Sequence, residues 1–340
     1  MSSTEPIRIS NSLRERSVVD FQINITAVER ILKRTPLVGA GEYRCPTTHP
    51  QFLGGGPEKC PFIVFSHSSV RLIPSRGKAE VCTPNTVNLL DVGDSYERLP
   101  VSAEGAICDW IAIAPALLRD IAIEVNPEVG NNSERVFECA VVPLASSVFL
   151  SQRLFFNAIR RNPHITRLAL EDAAIQLTAS VLNNTVEHSR KQQHCRTFRV
   201  HRHTSTRRRE MVEEAKCILA REYCDDIGLT QLAERVHCSP GYLSRSFSDL
   251  TGYTLHSYQT QIRLRVALQL IAEARFNGAG IAPQLGFASH SHLSSVFGKH
   301  FGITPSAFAR CCSKALLERM SGHSRFPREA AEILQLPAMS

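Results

Sequence analysis

Ser239-Pro-Gly-Tyr-Leu-Ser-Arg-Ser-Phe-Ser-Asp-Leu-Thr-Gly-Tyr-Thr254 and Ser289-His-Ser-His-Leu-Ser-Ser-Val-Phe-Gly-Lys-His-Phe-Gly-Ile-Thr304 are two copies of one unit, 50 residues apart. Six of the sixteen positions are identical: Ser239/Ser289, Leu243/Leu293, Ser244/Ser294, Phe247/Phe297, Gly252/Gly302 and Thr254/Thr304. The serine is placed to cap a helix N-terminus. Leu and Phe, four apart, make one apolar helix face. The glycine sits where a helix ends on a left-handed residue. A short helix precedes each copy. The first covers 229–237 with Leu232, Ala233 and Val236 inward, and the second begins at Ile281 and Ala282 with Leu285 next. Tight turns, His237-Cys238 and Gly286-Phe287-Ala288, join each pair. This is the helix-turn-helix pattern, written twice. In it the second helix enters the major groove and reads bases with its N-terminal residues. A longer helix, 254–274, lies between the units with Leu255, Tyr258, Ile262, Val266 and Leu270 on one stripe. At 1.5 Å per residue it spans roughly 30 Å, near one turn of B-DNA. Both reading helices can then meet successive major grooves of double-stranded DNA.

The second unit reads Ile281-Ala282-x-x-Leu285-Gly286-Phe287-x-Ser289-x-Ser291-His292-Leu293-Ser294-x-x-Phe297-x-Lys299-x-Phe301-Gly302-x-Thr304-Pro305-x-x-Phe308, and the linking helix adds Arg263-Leu264-x-x-Ala267-x-x-Leu270. Over about 207–310 this resembles the DNA-binding domain of the AraC/XylS family of bacterial transcription regulators. Four positions depart from the family pattern: Pro283, early in a helix, Leu293 in place of Phe, and Ser295 and Gly298 where basic residues are common. Two missing basic groups weaken the second reading helix, so the first unit is expected to dominate binding. The DNA-contacting candidates are Ser239, Gly241, Tyr242, Ser244 and Arg245 in the first unit, and Ser289, His290, Ser291, Ser294, Ser295 and Lys299 in the second. Arg245 suits a bidentate contact to guanine, and Lys299 a phosphate. His292 matches a family position that is mainly structural. Leu243, Phe247, Leu293, Phe297, Phe301 and Phe308 read as core.

Charge agrees with this reading. Between Arg196 and Lys314 lie 16 Lys and Arg against 9 Asp and Glu, leaving 23 of each sign elsewhere, so the net +7 of the 340-residue chain belongs to one stretch. A basic domain suits a polyanion. Hydrophobic residues at 43% and charged residues at 21% exclude disorder as the main state. Eleven cysteines without a C-x-x-C, and a polar Met1–Ser12 without a signal peptide, read as mostly core-filling thiols in a cytoplasmic protein. No apolar run is long enough to span a membrane.

Upstream, residues 18–36 read as a strand or arm followed by a short helix ending near Pro36. From Leu37 to about Ala114 six to eight short strands alternate with turns, among them Phe62-Ile63-Val64-Phe65, implying a small barrel or sandwich. Gly54-Gly55-Gly56 reads as a flexible hairpin. Helices follow over 147–161 and 166–187. The second carries a heptad-like stripe, Leu168, Ile175 and Leu182 with Ala179 and Val186 beside them, which suits a dimer helix and packing on its own β domain equally. Residues 188–206 read as an exposed basic linker.

The expected fold class is α+β: a cupin-like small β-barrel with helices over 1–187, the linker over 188–206, an all-α domain of two helix-turn-helix units joined by a long helix over 207–312, and a tail over 313–340. The cupin-like assignment rests on the family resemblance and on β texture. Metal-binding cupins carry an H-x-H with a later Glu and His. Residues 37–115 hold only His49 and His67, so no metal and no cofactor are expected there. The pairs His201/His203 and His290/His292 lack nearby metal-ligand partners. His67, Arg71, Tyr96, Arg98 and Trp110 are groups that could line a ligand cavity or serve as ordinary core and surface. The resemblance implies a regulator, expected to be an activator working with RNA polymerase, a homodimer, and a sensor of a small-molecule effector. Two alternatives stand beside it: a ligand-independent regulator whose N-terminal part only dimerises, and a DNA-repair enzyme fused to this DNA-binding domain. For the second, Cys45, Cys60, Cys82 and Cys108 are too widely spaced for a four-cysteine zinc centre.

Overall fold

The computed structural model describes residues 28–128, 135–196, 202–273 and 280–312; the side chains of 191–196, 202–205 and 311–312 are not among those described. The arm before residue 28, the His201/His203 pair and the tail from 313 lie outside the description.

Ten strands build the N-terminal half: β1 (Glu29–Arg34), β2 (Val38–Cys45), β3 (Gly54–Gly55), β4 (Phe62–Ser66), β5 (Val70–Pro74), β6 (Glu80–Cys82), β7 (Thr86–Leu90), β8 (Tyr96–Pro100), β9 (Ala106–Ile113) and β10 (Val141–Pro143). All their pairings are antiparallel, in a six-stranded sheet ordered β1-β2-β9-β4-β7-β10 and a four-stranded sheet ordered β3-β8-β5-β6. The period-two rule then sorts side chains by face. In the larger sheet, Gly41, Trp110, Val64 and Asn88 form one cross-strand row, and Tyr43, Cys108 and Ser66 form the next. Both rows face the smaller sheet, and between the sheets lies a cavity of about 70 Å³. Gly41 makes the first row possible: a Cβ there would lie 2.3 Å from Trp110 Cζ2.

The opposite face of the larger sheet carries Ile63, Phe65 and Ile111, all buried. Helices α1 (Pro115–Val125), α2 (Ser146–Arg161) and α3 (Arg167–Arg196) pack together behind it. Phe65 meets Phe156 edge-on at 6.1 Å. Beside them a buried ion cluster joins α2 to the sheet. Asp109 lies 2.9 Å from His67 Nε2 and 3.3 Å from Arg153, and also binds Arg160, which bonds Glu42 at 2.5 Å.

Three expectations are corrected here. Residues 29–34 form a strand rather than a helix, because β2 offers them an open edge; a bulge at Ile31/Lys33 absorbs the register shift. Gly54-Gly55 is a short edge strand paired to Tyr96 and Glu97, not a flexible hairpin. Helix α3 continues nine residues past 187, into the stretch read as linker. Its basic and amide side chains are good helix formers, and no Gly or Pro interrupts the chain between Pro163 and Gly228. The α3 stripe is also resolved: Ile175, Ala179 and Leu182 are buried within this half, whereas Leu168 is 51% exposed.

The C-terminal half is helical: α4 (Arg202–Arg221), α5 (Leu229–Arg235), α6 (Pro240–Thr251), α7 (Leu255–Ala272), α8 (Ile281–Gln284), α9 (His290–Phe301) and α10 (Pro305–Cys312). Its apolar core is continuous with that of the N-terminal half. The turn before β7 grips α7. Asn85 donates to Tyr258 O at 3.2 Å, Thr83 meets the Tyr258 hydroxyl at 3.3 Å, and Arg265 donates to Pro84 O and Leu144 O. Further bonds run from Val81 N–H to Glu213 and from Arg221 to Val101 O. Among the described residues no helix is long and apolar enough to cross a membrane.

Candidate nucleic-acid interface

Helices α5 and α6 form the first helix-turn-helix, and α8 and α9 the second. Their turns need left-handed backbone, which His237 (φ 54°) and Gly286 (φ 74°) supply. The reading helices α6 and α9 start after Ser239 and Ser289 and end on Gly252 and Gly302, both left-handed, as the repeat predicts. Only one serine cap forms. Ser289 Oγ accepts from His292 N–H at 3.1 Å, whereas the Ser239 hydroxyl makes no cap bond. The third helical residue, Tyr242, donates its N–H to the Ser239 carbonyl instead, at 3.1 Å. The Ser239 hydroxyl is thereby available to an incoming phosphate. Pro283 falls in the single turn of α8, where its missing N–H has no helical role.

The inward faces are as expected: Leu243, Phe247, Leu293, Phe297 and Phe308 are fully buried, and Phe301 nearly so. The outward faces hold every candidate contact residue. Ser239, Gly241, Tyr242, Arg245, Ser289, His290, Ser291, Ser295 and Lys299 are exposed; Ser244 and Ser294 are half-buried. Arg245 Nε donates back to Gly241 O at 3.2 Å, which leans the guanidinium toward the helix N-terminus, and it forms no ion pair among the described residues. His292 is exposed, yet its ring meets Phe287 edge-on at 5.6 Å. The C-terminal end of α9 is anchored on the N-terminal half. His300 Nε2 lies 2.7 Å from Ser146 Oγ, and Phe301 stacks on Phe149. Burial, aided by Arg265, pushes the His300 imidazole down to about 4, so it is neutral at neutral pH.

Two arginines that the sequence left unassigned hold this frame. Arg263 donates from Nε to Tyr223 O, from Nη2 to Asp225 O and from Nη1 to Gly286 O, joining the loop after α4 to the turn of the second unit. Arg265 is 1% exposed and lies over the Phe149 ring at 4.7 Å. Burial pulls its guanidinium down to about 10, still charged at neutral pH. Other basic groups are committed internally: Arg208 to Ser246 and Asp249, Lys216 to Glu213, and Arg235 to Glu222. The local charge excess therefore overstates the cationic surface offered to a partner. The absence of carboxylates between Asp249 and Glu273 was the one hint in the sequence that these arginines find backbone acceptors.

Of the five residues weighed for the cavity, Tyr96, Arg98 and Trp110 line it. His67 belongs to the buried ion cluster behind the sheet. Arg71 lines a separate cleft beside α4 with Lys78 and Arg209. Cys45, Cys60, Cys82 and Cys217 are buried thiols, whereas Cys139 is exposed. No group of three or more potential metal ligands occurs among the described residues.

Comparison with known proteins bears on this half of the chain. Residues 232–310 match the family described as helix-turn-helix domain. Regulatory protein PocR of Salmonella typhimurium is 31% identical over 84 residues, covering 25% of this chain and 28% of PocR. The transcriptional activator RhaR of Escherichia coli K12 is 28% identical over 111 residues, covering 31% of this chain and 39% of RhaR. The chain thus spans between about a quarter and two-fifths of the curated relatives it matches. A solved AraC-type regulator from Chromobacterium violaceum is 25% identical, with 31% of this chain and 95% of that chain covered and a TM-score of 0.30.

Proposed function

We propose that this chain, whose residues 232–310 form an AraC-type helix-turn-helix domain, is a sequence-specific DNA-binding transcription regulator. One observation carries the reading. Two reading helices bury their Leu and Phe stripes, expose their N-terminal halves, and are held on one frame by α7 and Arg263. Arg245 is assigned the principal base contact, and Lys299 and the serines phosphate contacts. Activation of transcription with RNA polymerase, action in the cytoplasm and a non-enzymatic role follow the family. A homodimer is part of this reading, with its interface on faces other than the Ile175/Ala179/Leu182 stripe, which is buried within its own half.

The N-terminal half is assigned a sensory role. Its cavity and its grip on α7 share one strand: β7 brings Asn88 and Leu90 to the cavity, and the turn leading into β7 holds Tyr258 and Arg265. A ligand that shifts β7 shifts the frame of both reading helices.

The test is footprinting on the region upstream of the chain's own coding sequence, followed by fluorescence anisotropy on the protected duplex. Arg245→Ala is expected to weaken binding by about 1–3 kcal/mol and to relax preference at one base pair. Unchanged affinity and specificity would remove Arg245 from its assigned role. Absence of any protected sequence would refute the reading itself.

A further inference from the structure

Beside α4, on the outer side of the smaller sheet, lies a second cleft, of about 330 Å³, a size that suits a small molecule. Its two walls come from the two halves of the chain. Arg71 and Val81 form a cross-strand pair on β5 and β6, and the period-two rule turns both away from the cavity between the sheets. Val81 packs into the core that includes α4, and its N–H donates to Glu213 at 2.7 Å. The hairpin of β5 and β6 thus supplies Arg71 and Lys78 to one wall. Helix α4 supplies Thr206, Arg209, Glu210 and Glu213 to the other, at spacings of three, four and seven that place them on one helix face. Among the described residues Ala79 is the one apolar side chain lining the cleft, so an apolar ligand finds nothing there to pack on.

The charges leave a cationic surplus. Arg71, Lys78 and Arg209 form no ion pair among the described residues, and the Arg71 Nε is buried without a hydrogen-bond partner. Glu213 is already engaged, by Lys216 Nζ at 2.9 Å and by the Val81 N–H. Glu80, which Lys216 and Arg209 both attract, pairs with Leu72 and so turns to the inner face. Glu210, exposed, is the one uncommitted carboxylate in the lining. Three cations against one such carboxylate suit a dianion, and guanidinium and ammonium groups together suit the oxygens of a phosphate.

We propose that this cleft binds a small phosphorylated molecule with a polar body, its phosphate on Arg71, Lys78 and Arg209 and its body toward Thr206 and Glu210, so that the ligand bridges the two halves. Arg208, next to Arg209 on α4, bonds Ser246 and Asp249 of α6. A ligand that draws Arg209 toward the hairpin acts on the helix that holds the first reading helix, a consequence that rests on the DNA-binding reading.

The test titrates the full chain by calorimetry and thermal shift in phosphate-free buffer at about pH 7.5, where a phosphate monoester carries close to two charges. The probes are ribose 5-phosphate, inorganic phosphate, dimethyl phosphate and ribose. Ribose 5-phosphate and inorganic phosphate are expected to raise the melting temperature, dimethyl phosphate to bind several-fold more weakly, and ribose not to bind. Lys78→Gln from one wall and Arg209→Gln from the other are each expected to weaken ribose 5-phosphate at least about tenfold, one charge-assisted contact being lost. Arg209→Lys is expected to recover part of that loss. Arg76→Gln, exposed on the same hairpin but outside the lining, is expected to change affinity less than about twofold and controls for long-range charge. Loss with Lys78→Gln but not with Arg209→Gln overturns the bridge, and equal loss with Arg76→Gln overturns the cleft as the site. No binding by any probe at about 10 mM overturns the proposal, and weaker duplex binding by Lys78→Gln in that case assigns the cations to the DNA backbone. Ribose 5-phosphate that binds yet leaves duplex affinity unchanged overturns the link to α6. A chain that binds the phosphates but protects no DNA sequence refutes the DNA reading and leaves the cleft assignment standing.

Discussion

Replacing Gly286 by alanine tests the joint between the second helix-turn-helix and the loop after α4. Gly286 ends the turn after α8 with φ at 74°, and an alanine there costs about 1–2 kcal/mol for the left-handed backbone alone. Space adds to this. The new Cβ would lie 2.3 Å from Cys224 O and 2.8 Å from Arg263 Cζ. The first neighbour is backbone. The second is held by its bonds to Tyr223 O, Asp225 O and Gly286 O, so it cannot swing aside. Overpacking of this kind costs about 1–3 kcal/mol more. The expected total is about 2–5 kcal/mol. Gly252 and Gly302 are internal controls, with φ of 78° and 71° but open space where a Cβ would go. Their alanine variants should lose only about 1–2 kcal/mol. Urea unfolding followed by circular dichroism measures all three in the full chain. If Gly286→Ala matches Gly252→Ala within about half a kcal/mol, the close approach of Cys224 and Arg263 to the turn is wrong.

Further outcomes concern the interface and the ion cluster. Lys299→Ala should weaken all duplexes alike and lower the magnitude of the log–log salt slope by about 0.9, whereas Arg245→Ala should change sequence preference; a sequence-dependent loss for Lys299 reverses its assignment. Asp109→Asn should destabilise by about 3–5 kcal/mol, because Arg153, 3% exposed, loses its buried counter-ion. Burial alone would raise the Asp109 carboxyl, but His67, Arg160 and Arg153 outweigh it and hold it well below the usual carboxylate range. Its depressed value contributes stability that is fully present above about pH 4 and is lost as pH falls below that. The asparagine variant should therefore show a flatter acid limb in pH-dependent melting; an unchanged limb would place the acid sensitivity elsewhere. Tyr258→Phe removes the hydroxyl facing Thr83 and should cost about 1 kcal/mol, read by thermal unfolding of the full chain. No loss there would show that this contact between the halves is energetically idle.

The sequence by itself determined the C-terminal architecture. Its signals are local: a Leu and Phe four apart, a glycine that ends each reading helix, and a 50-residue repeat of the whole unit. Such signals act within one or two helical turns, so they can be read without knowing the fold. The outward placement of Arg245, Lys299 and the serines followed from the same periodicity. Residues 29–34 and Gly54-Gly55 were legible only once a partner strand was in place, since an edge strand is chosen by what it pairs with. The run from His188 to Arg196 looked like a linker by charge, and the absence of a helix breaker was the better guide.

Tertiary structure alone decided what the arginines do. Arg263 and Arg265 are two residues apart on α7, yet one joins the loop after α4 to the turn of the second helix-turn-helix and the other enters the N-terminal half. Arg98 and His67 were equal candidates for the cavity; only Arg98 reaches it. The physical reason is distance along the chain. A helix cap or an apolar stripe is satisfied by neighbours a few residues away. A buried charge is satisfied by whatever carbonyls and rings the folded chain brings to it: Pro84 and Leu144 for Arg265, and Gln51, Phe52 and Tyr43 for Arg98.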